Sequence, residues 1–323
     1  MWSRLIALAL AGSLACSGAG SSDRARALPS APQDPEWQEL APVPTPRTEV
    51  AATAAKGNIF VMGGFADPGA TVALVDVYDI DTDTWTEGPP LPVAVNHAMA
   101  TTLKGEVYVL GGSLAQGGAT DRAFVLRDGV WEEVASMPEP RAAGGAAAFR
   151  GRIYVVGGVG PGGLADSTFV FDPENGWSTA PGVPTAREHL GVARFARRLY
   201  VVAGRTGGLE SNLDVAERFN PARDRWVTLR TVPTARGGLA AAATSNGFVV
   251  TAGGEGSDGT FDEVEAFDAA TGRWRSLPPM PTARHGLGVV AVGTRVYVLA
   301  GGPEPGLTYS DANEALDLES LRR

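Results

Sequence analysis

The three histidines of the chain are His97, His189 and His285, and each stands just ahead of a small-residue apolar run, as Asn96-His97, Glu188-His189 and Arg284-His285. Three imidazoles brought to one point would hold a zinc ion. Their spacing speaks against that. His97 and His189 lie an even number of residues before the small doublet that closes the next apolar run, and His285 an odd number before Ala300. On a strand, opposite parity means opposite faces. The sequence therefore predicts no metal and no cofactor, and leaves the histidines as part of a polar ligand pocket or as ordinary polar strand ends.

A second set of residues follows the doublets, where the chain departs from its own pattern: Phe65, Ser113, Arg205, Glu210, Glu255 and Tyr309. Aromatic, arginine and glutamate side chains around one pocket suit a sugar or a peptide tail, through stacking and bidentate hydrogen bonds. The candidate ligand-binding residues are thus Phe65, His97, Glu188, His189, Arg205, Glu255, Arg284, His285 and Tyr309, with solvated loop tips as the plain alternative. No catalytic residue is assigned.

Other motifs carry less. Gly158 to Gly163 and Gly254 to Gly259 match G-x-G-x-x-G, but each runs on into a strand, so no helix N-terminus is available for a pyrophosphate. Asp79-x-Asp81-x-Asp83 resembles the start of a calcium loop, but Thr84 replaces the required glycine and Pro90 stands where the closing glutamate belongs. The sequence has no G-x-S-x-G, H-E-x-x-H or C-x-x-C.

The elements that must position these residues repeat. A small doublet closes an apolar run in IFVMGG (59–64), VYVLGG (107–112), IYVVGG (153–158), LYVVAG (199–204), VVTAGG (249–254) and VYVLAGG (296–302), the last aligning best on Ala300-Gly301. Tryptophan recurs at Trp37, Trp85, Trp131, Trp177, Trp226 and Trp274, and arginine at Arg47, Arg141, Arg187, Arg236 and Arg284, with Val95 in the second unit. An arginine present in nearly every repeat reads as framework, bonding backbone carbonyls. Each unit holds four short segments with period-two alternation, the first small and apolar, the fourth carrying the tryptophan. Tyr108, Tyr154, Tyr200 and Tyr297 share one position and read as core.

The doublets, the pairs Tyr78-Asp79 and Phe171-Asp172, and the tryptophans resemble kelch repeats over about residues 36–320. The resemblance implies an all-β, six-bladed β-propeller of four-stranded antiparallel blades. Small residues belong at the narrow axis and tryptophans at the wide rim. The chain stops after the third segment of its last unit, so the segment around Trp37 is expected to supply the missing outer strand and close the ring. Bacterial proteins of this family include N-acetylneuraminate mutarotases, which implies that Arg205, Glu188, Glu255 and the histidines could bind a carboxylated sugar and move its proton. Copper chemistry of the galactose-oxidase kind needs a cysteine joined to tyrosine, and Cys16 is the only cysteine.

Composition bounds the rest. The chain has 323 residues, 44% hydrophobic and 20% charged, with a net charge of −9. Such acidity disfavours a phosphate backbone as partner, so no nucleic acid is expected. Arg4 and the short apolar run after it read as a signal peptide over 1–16, too short to span a bilayer. Ser13-Leu14-Ala15-Cys16 resembles a lipoprotein box, with lipidation of Cys16 expected; Ser13-x-Ala15 also fits plain secretory cleavage. Residues 17–35 read as a flexible tether and 36–323 as the propeller. The reading is a monomeric, exported binding module, held to a membrane only by its N-terminal lipid or secreted, recognising a glycan or a protein segment. Its alternative is a sugar mutarotase or epimerase.

Overall fold

Six short segments of small residues converge where only small side chains fit, and that convergence sets the architecture. The computed structural model describes residues 35–321, so the expected signal peptide, Cys16 and nearly all of the expected tether lie outside the described residues. Six four-stranded antiparallel sheets hold most of the strand residues. Blade 1 runs Ala51–Ala55, Asn58–Met62, Val75–Asp79 and Thr84–Glu87, and blade 2 runs Met99–Leu103, Glu106–Leu110, Ala123–Arg127 and Val130–Val134. Blades 3, 4 and 5 begin with Gly145–Phe149, Gly191–Phe195 and Ala240–Ala243 and repeat the same order. Blade 6 takes Gly288–Val292, Arg295–Leu299 and Asn313–Asp317 from one end of the chain and Trp37–Glu39 from the other. Trp37 lies opposite Leu316 and Glu39 opposite Glu314, so the expected closing strand is in place. The first strands neighbour one another around a closed ring, blade 6 meeting blade 1. The fold is an all-β propeller.

The axis is close-packed. A Cβ on Gly145 would stand 2.2 Å from Val192, one on Gly191 2.8 Å from Ala241, and one on Gly288 2.6 Å from Ala52. Alanines and glycines let six strands approach where larger residues would collide. The rim uses the opposite means. Tyr108 meets Phe171 of the next blade with ring centroids 6.2 Å apart, and Phe171 meets Trp177 at 5.0 Å. Tyr200, Phe267 and Trp274 repeat the relay at 6.0 and 5.2 Å. Each indole then donates to a carbonyl just after the fourth strand of the preceding blade: Trp85 to Ala41, Trp131 to Pro89, Trp177 to Ala135, Trp226 to Pro181, Trp274 to Arg230 and Trp37 to Pro278, at 2.7–3.0 Å. The tryptophans therefore staple every blade to its neighbour as well as filling space.

The repeated arginines are fully buried. Arg187 donates to the carbonyls of Ala203, Thr185 and Val201 and to Glu217 at 2.6 Å. Arg47 pairs with Asp76, Arg236 with Glu265 and Arg284 with Glu314. The acid always comes from the third strand of the same blade. In blade 3 the acid is missing, and Arg141 instead donates to Ser167 and lies 4.7 Å over the Phe169 ring. In blade 2 both partners change together: Val95 replaces the arginine and Phe124, buried, stands at the acid's position. A buried guanidinium without its carboxylate is costly, and an apolar pair of similar volume avoids the cost.

Two outcomes follow. Deleting residues 36–40 leaves the blade 6 edge unpaired, and aggregation or a large drop in melting temperature is expected; a soluble protein with an unchanged melt contradicts the latch. Arg187→Val alone leaves Glu217 buried without its partner and should destabilise the chain by about 3–5 kcal/mol. The double variant Arg187→Val, Glu217→Phe copies blade 2 and should recover most of that loss in urea unfolding, whereas simple addition of the two single losses would contradict the pairing.

Candidate functional site

The residue two places after each repeated arginine turns the chain sharply into the first strand. In order around the axis these are Glu49, His97, Ala143, His189, Gly238 and Gly286, with φ between 49° and 71°. The left-handed conformation points each amide at the neighbouring blade. His97 N–H donates to Glu49 O, Ala143 to His97, His189 to Ala143, Gly238 to His189 and Gly286 to Gly238, at 2.8–3.1 Å, and Val50 closes the circle on Gly286 O at 3.2 Å. A second circle lies beside it. The second residue of every doublet donates to the carbonyl at the arginine position of the next blade, as in Gly64 to Val95 at 2.8 Å and Gly301 to Arg47 at 2.7 Å. A Cβ on Gly64 would meet Thr48 O at 2.5 Å and one on Gly158 would meet Ala142 O at 2.4 Å, which is why that residue is glycine throughout.

These circles gather the side chains that depart from the repeat. Glu49 Oε2 stands 3.2 Å from His97 Nε2 and 3.9 Å from His189 Nε2, and its Oε1 faces His285 Nδ1 at 3.3 Å. The His97 and His189 rings meet edge to face, 4.9 Å apart. Of their other ring nitrogens, His97 Nδ1 is hydrogen-bonded to Asn96 Oδ1 at 2.5 Å, and His189 Nδ1 lies 2.9 Å from Glu188 Oε2. Arg205 donates to Glu188 at 3.2 Å and to Glu255 at 2.8 Å, and Glu255 lies 3.6 Å from His285. The web faces a cavity of about 140 Å³ at the axis, lined by Glu49, His97 and His189 and by small residues of the first strands.

The expected parity argument fails. All three histidines converge on one carboxylate, because none of them lies in a strand. His97 and His189 are the left-handed residues themselves, while His285 sits one place earlier and bridges to Gly302. A left-handed turn between a side chain and its strand cancels the alternation that parity assumes.

Of the expected residues, His97, Glu188, His189, Arg205, Glu255 and His285 form this one web. Phe65 adjoins it, edge-on to His97 at 5.9 Å. Tyr309 lies apart, its hydroxyl reaching toward Gly69 of blade 1. Arg284 does not face the cavity, since its guanidinium is buried against Val298 O and Glu314. Glu49 is the residue the sequence reading missed. The signal was available: aligned on the arginines, Glu49, His97 and His189 occupy one position. Asn96 was likewise passed over. The two G-x-G-x-x-G matches fall in short hairpins, Val159–Gly160 against Gly163–Leu164 and Glu255–Gly256 against Gly259–Thr260. Asp79 caps the amides of Asp81 and Thr82, and Asp83 accepts from Tyr78 and from Ala41 N–H, so that trio is spent on a turn and a blade contact.

The charges are strongly coupled. Burial pushes the Glu49 carboxyl up, but His97, His285 and His189 together hold it well below the usual range. Burial opposes ionisation of Glu188 too, and His189 and Arg205 more than offset it, leaving it lowered. Burial lowers His97, whereas for His285 the adjacent Glu49 and Glu255 outweigh burial and raise it.

A sequence profile described as the KLHDC2/KLHL20/DRC7 Kelch-repeats domain matches residues 96–302, and one described as the Kelch motif matches residues 46–92. No curated protein matches the chain. A solved structure described as that of YjhT aligns with a TM-score of 0.74 at 15% identity, over 85% of this chain and 95% of that one.

The web predicts a signed pH effect. A carboxylate whose value is depressed in the folded chain adds stability that is complete above its unfolded value and is lost as the pH falls through the folded one. For Glu188 part of that depression comes from Arg205. Arg205→Met should therefore cost about 3–5 kcal/mol at neutral pH, where buried Glu255 and half-buried Glu188 lose their shared partner. The cost should shrink as the pH falls into the acid range and Glu188, no longer held down by Arg205, takes up its proton. Urea unfolding at several pH values checks this, and a penalty that does not vary with pH contradicts it.

Proposed function

The chain belongs to the kelch-repeat family, and on that footing we propose that it is an exported binding module that recognises a glycan or a protein segment with the loop face around its axis. One observation carries this reading. The framework is nearly the same in every blade, and the departures from it collect at one end of the channel. Blades 1, 2, 4, 5 and 6 contribute polar or charged side chains there, while blade 3 offers Ala142, Ala143 and Val159.

The charge of the site narrows the ligand. Glu188 and Glu255 share a single guanidinium, Arg205, and Glu49 faces imidazoles, so the site is negative when those imidazoles are neutral. An electronegative funnel favours neutral hydroxyls or a basic side chain over another carboxylate. Phe65, half-buried at the rim of the web, offers a face for stacking. This reading takes residues 1–16 as an export segment and Cys16 as lipidated, which would put the module at the cell envelope as a membrane-anchored or secreted protein.

The second reading is a sugar mutarotase. Imidazole and carboxylate groups 3.2–3.9 Å apart could pass a proton. Against it, Arg205 is already bonded to two glutamates and is not free to clamp a sugar carboxylate.

Binding to an array of neutral and acidic glycans and of peptides tests the first reading. Neutral glycans or basic peptides should be retained, and Phe65→Ala should weaken retention by about 2- to 10-fold, the worth of one aromatic contact. Retention of acidic sugars alone would contradict it. Proton NMR of freshly dissolved N-acetylneuraminate decides the alternative: anomer exchange at the buffer rate removes the mutarotase, and faster exchange establishes it.

A further inference from the structure

We propose that Glu49, His97 and His189 form a binding site for one divalent transition-metal ion of the zinc class at the propeller axis. Two imidazoles and one carboxylate are a common donor set for such ions. Donors each about 2.0–2.1 Å from a tetrahedral ion stand about 3.3 Å apart. Glu49 Oε2 lies 3.2 Å from His97 Nε2 and 3.9 Å from His189 Nε2, and the three donor atoms lie within 4.8 Å of one another. Small side-chain rotations would bring all three onto one ion.

The surroundings fit the same use. A ligating imidazole ordinarily has its other ring nitrogen held by a carboxylate or carbonyl, which fixes the tautomer and aims the free nitrogen at the metal. His97 has such a partner in Asn96 Oδ1, and for His189 the Glu188 carboxylate stands beside Nδ1, its Oε2 at 2.9 Å. His285 faces the opposite oxygen of Glu49, which sets the rotation of the carboxylate. All three donors project from left-handed residues of one hydrogen-bonded circle, so their backbones are fixed before any ion arrives. The donors line the axial cavity of about 140 Å³, which has room for the water that would complete the coordination shell.

Charge supplies an independent reason. Three carboxylates, Glu255 buried and Glu49 and Glu188 half-buried, with one guanidinium nearby leave two negative charges uncompensated when the imidazoles are neutral. Uncompensated buried charge is costly, and a divalent cation balances it. Protonated histidines would balance it instead if no ion binds, and the experiment separates the two.

The test is calorimetric titration of the full chain, stripped with chelator, with Zn²⁺, together with visible spectroscopy of Co²⁺ in its place. One ion per chain is expected, with the intense absorption that four-coordinate Co²⁺ shows and hydrated Co²⁺ lacks. His97→Ala, His189→Ala and Glu49→Gln should each weaken binding by at least about 100-fold. Glu188→Gln, which is no ligand itself and reaches the ion through His189, should weaken it by about 10- to 100-fold while leaving the shape of the Co²⁺ spectrum unchanged. Glu132→Gln, at an exposed pair far along blade 2, should bind as the parent does. If a ligand variant fails to fold, paramagnetic shifting of the His97 and His189 ring protons by Co²⁺ in the parent gives the same answer. Absence of saturable uptake, unchanged affinity in the folded histidine variants, or histidine signals unmoved by Co²⁺ would each overturn the site.

Discussion

Six segments of one chain that meet at an axis must satisfy their peptide groups on one another, because little else is within reach. The two hydrogen-bonded circles are the solution, and the rest of the structure follows from them. The inner circle demands a left-handed residue from each blade, and its amide and carbonyl then lie along the circumference. The outer circle demands a second doublet residue without a side chain, because a Cβ there would strike a neighbouring carbonyl. Buried arginine and acid pairs lock the leading loop of a blade to its third strand, and the indoles join each blade to the one before. The doublets and tryptophans hold adjacent blades together, and the arginines hold each blade to its own leading loop.

Because that framework is nearly symmetric, the site can be read as its broken symmetry. The same left-handed position holds glutamate, histidine, alanine, histidine, glycine and glycine around the ring. Left-handed backbone is unfavourable for most side chains and is tolerated where surrounding structure enforces it. Glutamate and histidine are thus retained at positions where Gly238 and Gly286 show that glycine fits. Their placement puts one carboxylate between three imidazoles, with Arg205, Glu188 and Glu255 as the next layer. The proton-binding behaviour of each group is set by the others, so the site acts as a unit.

Much of this was legible in the sequence. Six doublets and six tryptophans predicted the sheets, the small inner strands and the closing role of the segment around Trp37. The alternate alignment of the last doublet resolves on Ala300 and Gly301, whose φ values of 56° and 104° match those of Ala203 and Gly204 at 51° and 104°. The site was legible only in part. Glu49 reads as the start of an alanine-rich strand, because nothing in its residue type marks a left-handed turn. The same invisible turn spoiled the parity argument for His285. The joint exchange of Val95 and Phe124 for an arginine and an acid joins residues far apart in the chain, and periodicity along the sequence does not connect them.

The account rests most directly on the inner circle, and amide hydrogen exchange measures it. The amides of His97, Ala143, His189, Gly238 and Gly286 should exchange as slowly as those of the central strands, opening only when the whole ring unfolds. Exchange at the rate of the exposed loop tips would mean that the circle is not closed in solution, and the positioning of Glu49 and the histidines would lose its foundation.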